Sequence, residues 1–262
     1  MDKTSLKDFL DKKVDQYNQP FFINDDPISI PHRFSKTQDI EIAGLFAAIF
    51  AWGNRKSILN SCDRLLLCMD NAPYDFIMNF EDGDLVPFMN FAHRTFNATD
   101  LYHFFEVLKY HYRDLGNPSF ETALSQWMLP GDKTIENALN GFHHYFFSPK
   151  IVEDYPARTM KHIAAPFKKS ACKRLNMYLR WMVRDDKKGV DFGIWKNITP
   201  AQLVCPIDLH VSRVDKRLNE LDRKHADWLA AIELTDYLRT LDAEDPVKYD
   251  FALFGLGVID KF

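Results

Sequence analysis

Glycine is scarce in this chain, with 10 in 262 residues, which disfavours a glycine-turned sheet protein. Cysteine is scarcer still. The four, Cys62, Cys68, Cys172 and Cys205, have neither zinc nor disulfide-framework spacing. That excludes a stapled secreted scaffold and points to a reducing, cytoplasmic setting. Long apolar runs are missing as well. The longest, around "GLFAAIFAW", has twelve residues, too few to span a bilayer. The opening "MDKTSLKDFL" is polar and amphipathic, unlike a signal peptide. There is no repeat, no low-complexity tract and no β-alternation beyond a few residues. A surplus of positive charge is also lacking. The net charge is −4, so any nucleic-acid site must be a local patch.

What is present is helical periodicity. Apolar residues make up 46% of the chain, with 22 Phe, enough for a sizeable core. "DIEIAGLFAAIFAW" places Ile42, Leu45, Phe46 and Ile49 at helical spacing. Thr4 is read as the cap of the first helix. Asn117 and Pro118 are read as the cap and first position of another. "PFFINDDPISIPHRF", with three prolines, reads as an irregular connection. "NATDLYHFFEVLKYHYRDL" opens on a capping signal and is long enough for about five turns. The expectation is an all-α protein of about ten helices.

The sharpest compositional feature is "KHIAAPFKKSACKRLNMYLRWMVR", residues 161–184, with seven Lys/Arg and no Asp or Glu. Leu175, Tyr178, Leu179 and Met182 form its apolar stripe. Lys173, Asn176, Arg180 and Arg184 fall on another face, read as polar. Lys168, Lys169 and Lys173 surround the turn that enters the helix, where helix-start N–H groups favour an anion. The bland alternative is a solvated basic face.

Downstream, "CPIDLHVSRVDKRL" sets Asp208 before an amphipathic segment striped by Val211, Val214, Leu218 and Leu221. An N-cap explains the residue type and contributes about 1 kcal/mol. A capped carboxylate also stays ionised and fixed in direction, which suits it to stabilise a cationic sugar or steer a nucleophile.

"VCPIDLHVSRV" resembles the segment bearing the catalytic aspartate in the helix-hairpin-helix DNA glycosylases, the endonuclease III and 8-oxoguanine glycosylase superfamily. "CKRLNMYL" resembles the helix after the hairpin, whose first turn bears the catalytic lysine of bifunctional members. "LFAAIFAWGNRKSILNSCDRLL" resembles the helix, polar turn and helix that wedge into the gap left by a flipped base. The resemblance covers about two-thirds of the chain, from around residue 40 onward. It implies two helical lobes around a cleft. A central lobe of 36–184 would carry a hairpin-like element near 164–173, and residues 1–35 and 185–262 would form the second lobe of one globular unit. It also implies a DNA-repair base-excision glycosylase acting on double-stranded, damaged DNA, extending to Schiff-base lyase chemistry. Lys173 would be the nucleophile and Asp208 its partner, converging within roughly 8 Å. Lys168, Lys169, Ser170 and Arg174 would hold DNA, with Asn54 near the wedge. "CKRLNMYLRWMVR", "VDFGIWK" and "DPVKYDFALFGLG" look closer still to a bacterial family of unknown function.

The sequence departs from the superfamily in three places. Its hairpin reads Leu-Pro-Gly-x-Gly, whereas this chain has "PFKKSACK", where Ser170 and the lysines would take over phosphate contact. The interval from Lys173 to Asp208 is lengthened around "DDKKGVDFGIWKN". No cysteine follows Cys205, so the C-terminal iron–sulfur pattern is absent and no cofactor is expected. Nine histidines show no ligand spacing, so no metal is expected. Trp52 can be core or a base-stacking platform. Asp245–Pro246 reads as a cap and first-turn proline. Gly255 and Gly257 read as close-packing positions in a buried last helix. Two other functions fit the same residues: a non-catalytic nucleic-acid-binding protein with this fold, and a helical module that binds an acidic protein partner.

Overall fold

A computed structural model describes residues 2–207 and 226–259. The described chain is predominantly helical. Its helices are α1 (Lys3–Tyr17), α2 (Thr37–Phe50), α3 (Arg55–Cys68), α4 (Pro73–Asn79), α5 (Ala98–Lys109), α6 (Thr122–Ser125), α7 (Glu136–Phe146), α8 (Lys173–Val183), α9 (Trp228–Arg239) and α10 (Tyr249–Phe254). A two-residue antiparallel pair, β1 (Ala92–His93) with β2 (Phe96–Asn97), is the only sheet among the described residues. The segment predicted to start at Asp208, with its stripe of Val211, Val214, Leu218 and Leu221, lies outside the described residues.

The chain divides into two compact units. One comprises Met1–Asn24, Met128–Asn137 and Ala165–Phe262, the other Asp25–Trp127 and Ala138–Ala164. Residues 165–184 therefore group with the chain ends, which differs from the 36–184 lobe read from the sequence.

In the unit of Asp25–Trp127 and Ala138–Ala164, α2 is the central helix. Every residue from Ile40 to Phe50 is buried, because the helix is apolar on all sides. Phenylalanines from several elements close around it. Phe50 meets Phe96 at 5.1 Å between ring centroids, Phe96 meets Phe104 at 5.2 Å, and Phe104 meets Phe146 at 4.6 Å, within the range of edge-to-face packing. Glu41 is the exception on α2, fully buried yet ionisable. Tyr112 Oη donates to it at 2.8 Å, the Phe120 amide at 3.1 Å, and Ser119 Oγ also donates. Burial of a carboxylate requires such partners.

That demand reshapes the segment after α5. No helix starts at Asn117–Pro118, because Ser119 and Phe120 are drawn to Glu41, and helix α6 is confined to Thr122–Ser125. The reading of α5 fares better. Asn97 and Asp100 form its capping box, and the helix continues as a π-turn over Tyr110–Asp114. The three prolines of the 20–34 connection each open a 3-10 turn, since their fixed φ suits a first turn.

In the other unit, α1 packs along α10. Asp2, not Thr4, caps α1, accepting the Ser5 amide at 2.9 Å. Gly255 lies so close to the Tyr17 ring that a Cβ there would collide with it, as the close-packing reading expects. Helix α8 is embedded. Leu175, Tyr178, Leu179 and Met182 are buried as predicted, but so are Asn176, Arg180 and Arg184. The face read as polar is therefore an interior face.

The reason is a cage of aspartates. Arg184 Nη2 meets Asp245 at 2.8 Å and Asp186 at 3.3 Å, and its Nη1 pairs with Asp191. Arg180 Nε meets Asp191 at 3.3 Å, and its Nη1 pairs with Asp250. The Arg180 guanidinium also lies 4.3 Å from the Phe251 ring centre, a cation–π arrangement. Asp245 makes no side-chain cap bond at Pro246; its carboxylate is taken by Arg184. Burial opposes the charge on Arg184, but Asp191 and Asp245 outweigh it and hold the guanidinium well above its ordinary pKa.

Candidate nucleic-acid interface at the entrance to α8

The path into α8 is a tight sequence of turns. Ala165 precedes a 3-10 turn over Pro166–Lys168, with Pro166 at its first position. The Lys169 amide closes the turn on the Pro166 carbonyl at 2.7 Å. Lys169 then adopts a left-handed conformation, φ 59° and ψ 20°. Ser170 forms an isolated bridge with Asp227. Cys172 is left-handed too, φ 51° and ψ 27°, and stands at the cap position of α8 without a side-chain cap bond. Left-handed residues with a Cβ each cost about 1 kcal/mol or more. Two of them in four residues concentrate backbone strain where the lysines are.

Local bonds hold this geometry. The Cys172 amide donates to Ser170 Oγ at 3.2 Å, and Asn176 Nδ2 donates to the Ala171 carbonyl at 3.0 Å. The buried Asn176 is therefore a brace for the entrance. Burial pushes the Cys172 thiol up to about 12, with Ser170 opposing the shift and Glu136 adding to it. The thiol is a packing group there and not a nucleophile. Glu136 accepts the Trp228 indole N–H at 2.9 Å.

The predicted site residues occupy different depths. Lys168 and Lys169 are exposed, as is Lys161. Ser170, Lys173 and Arg174 are half-buried. Burial lowers the Arg174 pKa from its ordinary value. Lys173 is the first residue of α8. Lys168, Lys169, Ser170, Lys173 and Arg174 thus follow one another through the turn and into the first turn of α8. Asn54 belongs to the other unit, where it caps α3 by accepting the Ser57 amide at 3.4 Å. Asp208 lies outside the described residues. One exposed aromatic escaped the sequence reading: Phe167 is 50% exposed beside Lys168. Its signal was an aromatic interleaved with lysines, a pattern that suits stacking on nucleobases.

The remaining candidates resolve into structure. Trp52 is half-buried, with the Arg94 guanidinium 4.6 Å from its ring centre. Gly53 beside it has φ +106°, and a Cβ there would lie 2.7 Å from Arg94 Nη1, so only glycine fits the turn. His103 bonds the Phe146 carbonyl at 2.9 Å, His111 the Ser119 carbonyl at 2.9 Å, and His143 the Ile163 carbonyl at 2.8 Å. They are core histidines. No group of His, Cys, Asp or Glu able to hold a metal occurs among the described residues. No described helix is long and apolar enough to cross a membrane.

No curated protein and no solved structure matches the chain. Residues 26–259 match a family model described as "Protein of unknown function (DUF2400)", and the chain belongs to that family.

Proposed function

We propose that the protein binds double-stranded DNA through the turn that enters α8 and acts there as a base-excision glycosylase. The observation that carries this reading is the segregation of charge in 161–184. Arg180 and Arg184 are consumed by aspartates, while Lys168 and Lys169 remain exposed just before a helix start. Helix starts favour phosphate oxygens, and lysines there add to the attraction. Phe167 adds an apolar surface of the kind that packs on bases. The net charge of −4 makes such a patch necessary for any polyanion partner.

In this reading the target base leaves the stack for a pocket. The Lys173 amine attacks the sugar C1′ as the base departs with the glycosidic electron pair. Asp208 takes the ammonium proton and stabilises the oxocarbenium-like state. Opening of the sugar ring then gives the Schiff base.

Borohydride trapping on a panel of lesion-bearing duplexes tests it. The wild type should form a covalent adduct with at least one lesion. Lys173→Gln should form none while retaining DNA affinity. Asp208→Asn should preserve whatever capping the sequence predicts there, since Asn also caps well, yet lose most of the activity. Duplex binding without trapping on any lesion would leave a binding protein in place of an enzyme. Full activity of Asp208→Asn would make Asp208 a cap only.

A further inference from the structure

The first three turns of α3 line a shallow groove of about 470 Å³, bounded by Asn54, Lys56, Ser57, Asn60, Ser61 and Arg64. Two cations, two amides and two hydroxyls face it, and no carboxylate does. Helix α3 carries one acid, Asp63, which Arg33 engages at 2.6 Å. The negative charge nearest in sequence is thus already matched. Lys56 Nζ and the Asn60 amide are not used by any hydrogen bond or ion pair among the described residues. Arg64 donates one N–H to the Ala92 carbonyl at 2.9 Å and lies 5.4 Å from the Phe91 ring centre. Its guanidinium is pre-oriented, with donors left over. Beneath the groove, Ser61 Oγ is held 2.9 Å from Nδ1 of the buried His93, which fixes the hydroxyl in place.

We infer that this groove binds phosphate groups, supplied by the backbone of a nucleic-acid strand. Lys56 and Arg64 are eight residues apart on one helix, about 12 Å along its axis. That span suits a run of phosphodiesters better than one small anion. Neutral donors between two cations are how backbone contacts are commonly made. The inference rests on the DNA reading above, but uses none of the residues of the α8 entrance. It gives each of the two units its own phosphate-contacting surface.

Anisotropy titrations of a duplex over a range of salt, with three proteins, decide the matter. The groove variant Lys56→Glu/Asn60→Asp should lose at least about five-fold in affinity at low salt, and its salt slope should fall by about one. Its thermal midpoint should match the wild type. The turn variant Lys168→Glu/Lys169→Glu serves as the independent arm. If the turn variant weakens binding and the groove variant keeps wild-type affinity and slope, the groove inference is overturned and the DNA reading stands. If the wild type binds no duplex, the DNA reading fails and the nucleic-acid assignment of the groove fails with it. Inorganic phosphate then separates what remains. A chemical-shift change at the Asn60 side-chain amide identifies a free-phosphate site, and no change identifies a solvated face.

Discussion

The two ends of the basic segment 161–184 carry the same kind of charge and meet opposite fates. Its entrance into α8 offers Lys168 and Lys169 to solvent. Its exit buries Arg180 and Arg184 among Asp186, Asp191, Asp245 and Asp250. The difference follows from side-chain chemistry. A guanidinium is planar, weakly hydrated and able to bridge several carboxylates. An ammonium is strongly hydrated and stays in water unless well paired. A run of positive residues is therefore not one feature. Here it divides into a candidate interface and a structural clasp that ties α8 to the segments on either side of Asp191 and Asp250.

The largest expected effect breaks the clasp. Arg184→Ala takes the guanidinium from Asp186 and Asp245 and leaves the fully buried Asp191 with Arg180 as its remaining cation. It should cost about 3–5 kcal/mol in urea unfolding. A cost below about 1 kcal/mol would mean that the aspartates find water or neutralise, and that the clasp is not structural.

The second effect contrasts the clasp with the buried histidines of the other unit. Burial lowers His111 from 6.5 to about 4. Between those values the unfolded chain binds a proton that the folded chain refuses, so stability rises with pH across that window. Acidification from pH 7 to pH 4 should cost roughly 3 kcal/mol from this group alone. His93 and His103 are also lowered, mainly by burial, and act with the same sign. Denaturant midpoints from pH 4 to 7 measure the total. His111→Gln should flatten the profile, and an unchanged profile would remove His111 as its source.

The smallest effect sharpens the entrance. Lys169→Gly removes the Cβ from a left-handed position, φ 59°. It should stabilise the fold by about 0.5–1 kcal/mol while weakening DNA binding through loss of a cation. Stability and binding moving in opposite directions mark strain kept at a functional turn. A loss of stability would instead show that Lys169 packs.

Much of this was legible in the sequence, and the failures have physical causes. The apolar stripe of α8, the capping signal at Asn97 and the close packing at Gly255 depend on neighbours within a few residues, or on size alone. The true environment of Arg180 and Arg184 depends on Asp245 and Asp250, which lie 61 and 70 residues away. Nothing in local spacing reports such a partner, although "RDDKKGVD" places acids directly after the helix. Asn117–Pro118 had the right types for a helix start, yet a single buried carboxylate, Glu41, drew Ser119 and Phe120 out of it. At the candidate site, the sequence identified the lysines but not the left-handed conformations of Lys169 and Cys172. Backbone conformation at Lys169 and Cys172 follows from the turn closure and the Ser170 bridge, not from residue type.

The central claim is that the entrance of α8 is the interface and its exit is scaffold. The affinity of Lys168→Glu/Lys169→Glu for duplex DNA at low salt tests it most directly. The account predicts a folded protein with a wild-type unfolding midpoint, binding weakened by at least about ten-fold, and a salt slope smaller by one to two. Wild-type affinity and slope in that folded variant would contradict it.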